Sequence, residues 1–85
     1  MTMWRTVINT PGKSFTIKNG KEKNQIKITL TGKVTYGGRT YKAGSLLAFE
    51  LQPNQSVKIQ SADLLTGTKV ISKHRVSIMI MAVRG

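Results

Sequence analysis

The side chains that could do acid–base or nucleophilic chemistry are few in this chain of 85 residues. The acidic residues are Glu22, Glu50 and Asp63, the single histidine is His74, and cysteine is absent. Catalysis by paired carboxylates needs two acids at one cleft, and these acids fall in different predicted elements. Metal and thiolate sites need clusters of histidine or cysteine. We therefore expect a protein that is not an enzyme, with no catalytic, cofactor-binding or metal-binding residues and no small-molecule substrate.

Positive charge dominates the composition. Fourteen lysines and arginines face three acids, which gives a formal net charge of +11. Self-repulsion of this size opposes a compact state, so we expect an anionic partner. Lysines outnumber arginines ten to four, a mixture that favours diffuse attraction over bidentate reading of bases. The expected polyanion or partner surface consists of Lys13, Lys18, Lys21, Lys23, Lys27, Lys33, Arg39 and Lys42.

The elements that must position these residues are short β-strands. Apolar and polar residues alternate with a period of two, and turn residues interrupt the pattern about every 8–12 positions. This pattern predicts an all-β fold, a small barrel or compact sandwich of about six or seven short antiparallel strands. Residues 61–67 allow at most one helical turn. The length indicates one domain over residues 1–85, whose first strand, at about residues 3–8, could exchange with a neighbouring subunit.

The first hairpin is expected to join residues 14–18 to residues 25–31 across a polar turn. If Phe15 pairs with Leu30, then Lys18 lies opposite Lys27. Like charges directly opposite each other are destabilising, and a polyanion lying across that face would relieve the repulsion. The lysine-rich hairpin is therefore a candidate binding element.

A second hairpin is predicted at Gly37-Gly38, because glycine accepts the positive φ values of a two-residue turn. Tyr36 and Tyr41 flank this turn. They either stack on the bases of a single-stranded nucleic acid or pack across the strands, and packing is the favoured alternative. The aromatic residues expected in the core are Trp4, Phe15 and Phe49.

The longest apolar run, residues 76–83, has eight residues. A membrane-spanning helix needs about 20, so we expect a strand and no contact with a membrane. Its two faces are both apolar, which predicts a central strand or one covered by a second subunit. Met79 and Met81 then form a possible subunit interface of a homo-oligomer. The start of the chain lacks the apolar region of a signal peptide, so we do not expect secretion by that route.

The segment Val34-Thr-Tyr-Gly-Gly-Arg-Thr-Tyr-Lys-Ala-Gly44, followed by Ser45-Leu-Leu-Ala-Phe49, resembles a segment of small virion proteins of tailed bacteriophages. In those proteins an aromatic–Gly–Gly hairpin and an aromatic–x–Ala–Gly turn lead into a buried strand. The resemblance implies a capsid decoration, cement or head-associated subunit. Its partner would be an acidic protein lattice such as a phage capsid, and its location the virion, assembled in the host cytoplasm. The resemblance carries over no functional residue.

Two functions stay open at this point. The first is a non-catalytic structural subunit of a phage particle, attached through oligomer contacts and its basic surface. The second is a small cytoplasmic protein that binds single-stranded DNA or RNA, using the lysine-rich hairpin with Arg39, Tyr36 and Tyr41. We favour the first, because few aromatic residues are expected at the surface and the doubly apolar final strand needs to be covered. A host-protein inhibitor or another interaction module is the remaining alternative.

Overall fold

The alternating pattern gives nine strands in the computed structural model, which describes residues 3–82 except for the side chain of Ala82. No helix forms within that range, and no segment there could therefore cross a membrane as a long apolar helix. The all-β prediction is confirmed. The strands are β1 (Trp4–Val7), β2 (Gly12–Lys18), β3 (Asn24–Thr29), β4 (Val34–Tyr36), β5 (Arg39–Tyr41), β6 (Leu46–Leu51), β7 (Ser56–Gln60), β8 (Lys69–Ser72) and β9 (Ser77–Ala82).

Two antiparallel sheets enclose one core. The larger sheet has the order β1-β8-β3-β6 and the smaller has the order β7-β2-β9, while β4 and β5 form a separate pair. Successive side chains of a strand point to opposite faces, so each sheet has one buried face and one exposed face. Full burial of an apolar side chain stabilises a fold by roughly 1.5–3 kcal/mol. The buried apolar residues are Ile8, Phe15, Ile17, Ile26, Ile28, Leu30, Val34, Leu47, Leu51, Ile59, Leu65 and Val70.

The predicted first hairpin is wrong, because β2 and β3 belong to different sheets. Lys18 lies opposite Ser56 and Ser77, whereas Lys27 lies opposite Ala48 and Ile71 on the other sheet. Alternation shows which face of a strand is buried, but it does not show which strands pair. Two strands from opposite sheets of a sandwich have the same alternation as two strands of one hairpin. The polar connection of residues 19–23 crosses between the sheets.

The Gly37-Gly38 turn joins β4 and β5 as predicted, with φ values of 59° and 76°. No helical turn forms at residues 61–67, where the sequence allowed at most one. Instead, Ser61 makes a β-bridge with Val34, and its Oγ accepts a hydrogen bond from the Asp63 N–H at 3.0 Å. This local bond, typical of serine in turns, takes the place of a helix cap.

Strand β9 lies at the edge of the smaller sheet, so the prediction of a central strand is wrong. Met79 and Met81 are 71% and 65% exposed, and their role as a subunit interface stays a prediction. Strand β1 pairs with β8 of the same chain, and its exchange between subunits likewise stays a prediction.

Two of the three aromatic residues expected in the core contact it. Phe15 is fully buried, and Phe49 is half-buried and packs against the core. Trp4 is 49% exposed, so its expected core position is wrong. The indole lies on an edge strand, with no further strand of the sheet beyond it.

Candidate binding surface

The acidic residues lie apart, and each contacts a different neighbour. Glu22 Oε2 is 3.1 Å from His74 Nδ1, and Glu50 Oε1 is 3.5 Å from Lys23 Nζ. Asp63 Oδ2 accepts a hydrogen bond at 3.4 Å from the backbone N–H at position 33. No cluster of three or more metal-ligating side chains occurs within residues 3–82. The acids therefore serve as local ties between loops, and the expectation that the protein is not an enzyme stays a prediction.

The cations predicted to form one partner surface are distributed over several. Lys18 lies on the exposed face of the smaller sheet, and Lys27 lies on the exposed face of the larger one. Of the predicted set, Lys18 and Lys21 line a common recess. Their role in binding stays a prediction. The remaining members are exposed in β2, in the connections that follow β2 and β3, and beside the β4–β5 turn: Lys13, Lys23, Lys33, Arg39 and Lys42.

The two tyrosines beside the Gly37-Gly38 turn pack inward. Tyr36 and Tyr41 are half-buried and contact the core. The ring of Tyr36 stacks on Phe49, with centroids 5.0 Å apart and planes inclined by 25°. That arrangement occupies one face of the Tyr36 ring and supports the favoured alternative, in which the tyrosines pack against the protein.

Exposed apolar and cationic groups come together between the two edge strands β1 and β9. A cleft of about 320 Å³ separates these strands on one side of the molecule. We call this surface the β1–β9 seam, and its lining residues are Trp4, Thr6, Arg75, Val76 and Ile78.

The register of β1 explains why Trp4 reaches this surface. Trp4 and Thr6 lie opposite Ser72 and Val70 of β8, which are both buried. The two residues therefore share the inner face of the sheet. Ile8, two positions further on, is buried at 1% exposure. The seam is consequently closed near Ile8 and open near Trp4.

Arg75 covers the exposed indole. Its Cζ lies 5.7 Å from the centroid of the Trp4 ring, within the range of a cation–π interaction, which contributes about 0.5–1 kcal/mol at an exposed site. Guanidinium carries five N–H donors in a planar fork, and no ion pair uses those of Arg75 among the described residues.

A buried asparagine holds the backbone of the residue that precedes Arg75. Asn24 is 0% exposed; its Oδ1 accepts a hydrogen bond from the His74 N–H at 3.0 Å, and its Nδ2 donates to the His74 carbonyl at 2.9 Å. Asn24 Nδ2 also donates to Asn19 Oδ1 at 3.0 Å. These bonds fix the turn immediately before Arg75 to the interior.

Sequence reasoning missed Trp4 and Arg75 as surface residues and Asn24 as their support. The alternation of Trp4, Thr6 and Ile8 showed a shared face but not that the strand lies at an edge. Asn24 sits in a polar stretch typical of an exposed turn, and nothing in its neighbours distinguishes it as buried.

Comparison with known proteins identifies the family. The family model described as IgGFc binding protein matches residues 1–82. The IgGFc-binding protein of Homo sapiens is 33% identical over 79 residues, which cover 86% of this chain. The chain spans only 2% of the length of that relative. No solved structure matches.

These matches overturn the resemblance to phage virion proteins. The predicted functions of a virion subunit and of a nucleic-acid-binding protein are wrong, as are the capsid and nucleic-acid partners and the virion or cytoplasmic location. The aromatic–Gly–Gly segment is a general solution for a tight hairpin, and net charge indicates the sign of a partner but not its class. With the family model matched from residue 1 to residue 82, this chain belongs to the IgGFc-binding protein family.

Proposed function

We propose that this chain is a non-catalytic binding module for the Fc region of an immunoglobulin, and that Trp4 and Arg75 make the central contacts. The family match over residues 1–82 carries the proposal, since both the family and the human relative are named for binding IgG Fc. Immunoglobulins circulate outside cells, so this role would place the domain there.

The chemistry of the β1–β9 seam supports its choice as the contact surface. Tryptophan and arginine are enriched among the residues whose truncation costs most at protein interfaces. Edge strands also present unpaired backbone donors and acceptors to a partner. Here a half-exposed Trp4, a stacked Arg75 and two edge strands occur within one cleft.

The size of an ordinary interface indicates how far the contact extends. Such an interface takes roughly 800 Å² from each partner, or roughly a seventh of the 5750 Å² accessible surface of the chain. The seam would form the centre of this area. The flanking surfaces of β1 and β9, where Met3 and Met79 are exposed, would form its margin.

The test compares Trp4→Ala with Leu64→Ala by surface plasmon resonance on immobilised Fc fragments. Trp4 and Leu64 are 49% and 50% exposed, but Leu64 lies outside the seam. We expect at least about a tenfold loss of affinity for Trp4→Ala, as for an anchoring aromatic residue, and no change for Leu64→Ala. Thermal melting of both variants would show that each is folded.

Three results would contradict the proposal, the first two its partner and the third its contact surface. If the wild-type chain does not bind Fc at about 100 µM, corresponding to a binding free energy weaker than roughly −5.5 kcal/mol, the function is wrong. Equal binding to Fc and to Fab fragments would indicate general adhesion of a basic protein. An equal loss of affinity in the two variants would be consistent with Fc as the partner but would show that the seam is not the contact.

A further inference from the structure

A second recess, of about 440 Å³, adjoins the seam where the β2–β3 connection meets the start of β9. We call it the basic recess. Lys18, Lys21 and Arg75 line it together with the neutral side chains of Asn54 and Ser77. No acidic side chain is among its described lining residues.

The backbone around the basic recess is held by hydrogen bonds between two connections. The Asn19 N–H donates to the carbonyl of Gln55 at 2.9 Å, and the Asn54 N–H donates to the carbonyl of Gly20 at 2.8 Å. The side chain of Asn19 donates to the carbonyl of Gln52 at 2.9 Å. Lys18 ends β2, directly opposite Ser77 of β9. Hydrogen bonds therefore fix the backbone that carries the cations of the recess.

No ion pair among the described residues joins an acid to Lys18, Lys21 or Arg75. Glu22 contacts His74 in an adjoining recess that Lys21 and Arg75 also line, Glu50 contacts Lys23, and Asp63 lies beside the backbone of residue 33. Like charges that share a recess repel one another. An anionic ligand would replace this repulsion with charge-assisted hydrogen bonds.

We infer that the basic recess binds the acidic group of a saccharide, a carboxylate or sulfate ester carried on a sugar ring. Lysine and arginine would contact the charged oxygens, and the amide of Asn54 and the hydroxyl of Ser77 would contact neutral hydroxyls. The recess shares Arg75 with the proposed immunoglobulin contact. Lys18 and Lys21 lie outside that contact, so the two proposals are tested separately.

The test uses four probes in isothermal titration calorimetry: sialyllactose, a heparin-derived tetrasaccharide, neutral lactose and a hexaglutamate peptide. The variant Lys18→Gln/Lys21→Gln removes two cations from the recess. The matched control Lys58→Gln/Lys69→Gln removes the same charge from the exposed faces of the two sheets. We expect at least one acidic saccharide to bind at least ten times more weakly to the recess variant, with less than a twofold change in the control and no binding of lactose.

Equal losses in the two variants would overturn the inference, because they would show diffuse attraction to the net charge. Tighter binding of hexaglutamate than of either acidic saccharide would overturn it in favour of an acidic peptide. Absence of binding by both acidic saccharides would overturn it outright. Fc affinity of the same variants reports separately on the proposed function, since Lys18 and Lys21 lie outside the seam.

Discussion

Replacing Asn24 with alanine should destabilise the fold, because its buried side chain fixes the turn next to the seam. The side chain makes three hydrogen bonds, at 3.0 Å to Asn19 Oδ1, 2.9 Å to the His74 carbonyl and 3.0 Å from the His74 N–H. A hydrogen bond contributes a net 0.5–1.5 kcal/mol, and a buried group left unpaired costs about 1–3 kcal/mol. The variant leaves Asn19 Oδ1 and the His74 N–H without these partners. The expected loss is about 2–5 kcal/mol in the free energy of unfolding.

That loss is large for a domain of this length. Stability of roughly 0.05–0.15 kcal/mol per residue gives about 4–13 kcal/mol for 85 residues. Urea denaturation followed by far-ultraviolet circular dichroism would measure the change. Exposed Trp4 is a poor fluorescent reporter of the core, so the backbone signal is preferred.

Ser72→Ala supplies a matched control. Ser72 is 1% exposed, and its hydroxyl donates to the same His74 carbonyl at 2.6 Å. Removing it leaves that carbonyl with its bond from Asn24, so the expected loss is about 1 kcal/mol. If Asn24→Ala lost less than about 0.5 kcal/mol, or no more than Ser72→Ala, buried hydrogen bonding would not be what holds this turn.

Two further substitutions test the pairing of β9 with β2 and the exposure of its edge. In Gly12→Ala the new Cβ would lie 2.6 Å from the Met81 carbonyl oxygen, so β2 and β9 must separate, at a cost of about 1–3 kcal/mol. Thermal melting should show this loss of stability. The control Gly20→Ala, with no heavy atom within 4 Å of its Cβ, should melt at the wild-type temperature. Met79→Lys removes a 71% exposed apolar side chain from an edge strand and should slow aggregation, measured by light scattering, without changing the melting temperature. Leu64→Lys adds the same charge at another exposed site. If it slowed aggregation equally, the added charge and not the loss of Met79 would explain the effect.

Local sequence signals predicted the strands well, because they depend on neighbouring residues. The Gly37-Gly38 turn follows from the need for positive φ at both positions. Burial of Phe15 and Ile17 on one face of β2, and of Ile26 and Ile28 on one face of β3, follows from alternation. These four residues are the centre of the core, and their assignment required no knowledge of strand pairing.

Strand order was not predictable from the same signals. Alternation in β2 and β3 is satisfied equally by a hairpin and by two facing sheets, and the structure has the second arrangement. The choice depends on contacts far apart in the chain, such as the bond from the Asn19 side chain to the carbonyl of Gln52. The exposure of Trp4 depends on strand order as well, because the same residue on a central strand would be covered.

Net charge and local geometry act over different distances, which explains why the charge of the chain could not identify its partner. A charge of +11, spread over both sheets, attracts any anionic surface until salt screens it, over about 10 Å at 0.1 M ionic strength. This attraction raises the rate of encounter more than it selects the partner. Selection requires groups that act at contact distance, and those we propose are Trp4 with the neighbouring Arg75 and the cations of the basic recess. The amino-acid composition gives the number of such groups. Because they come from strands and connections distant in sequence, only the fold brings them together.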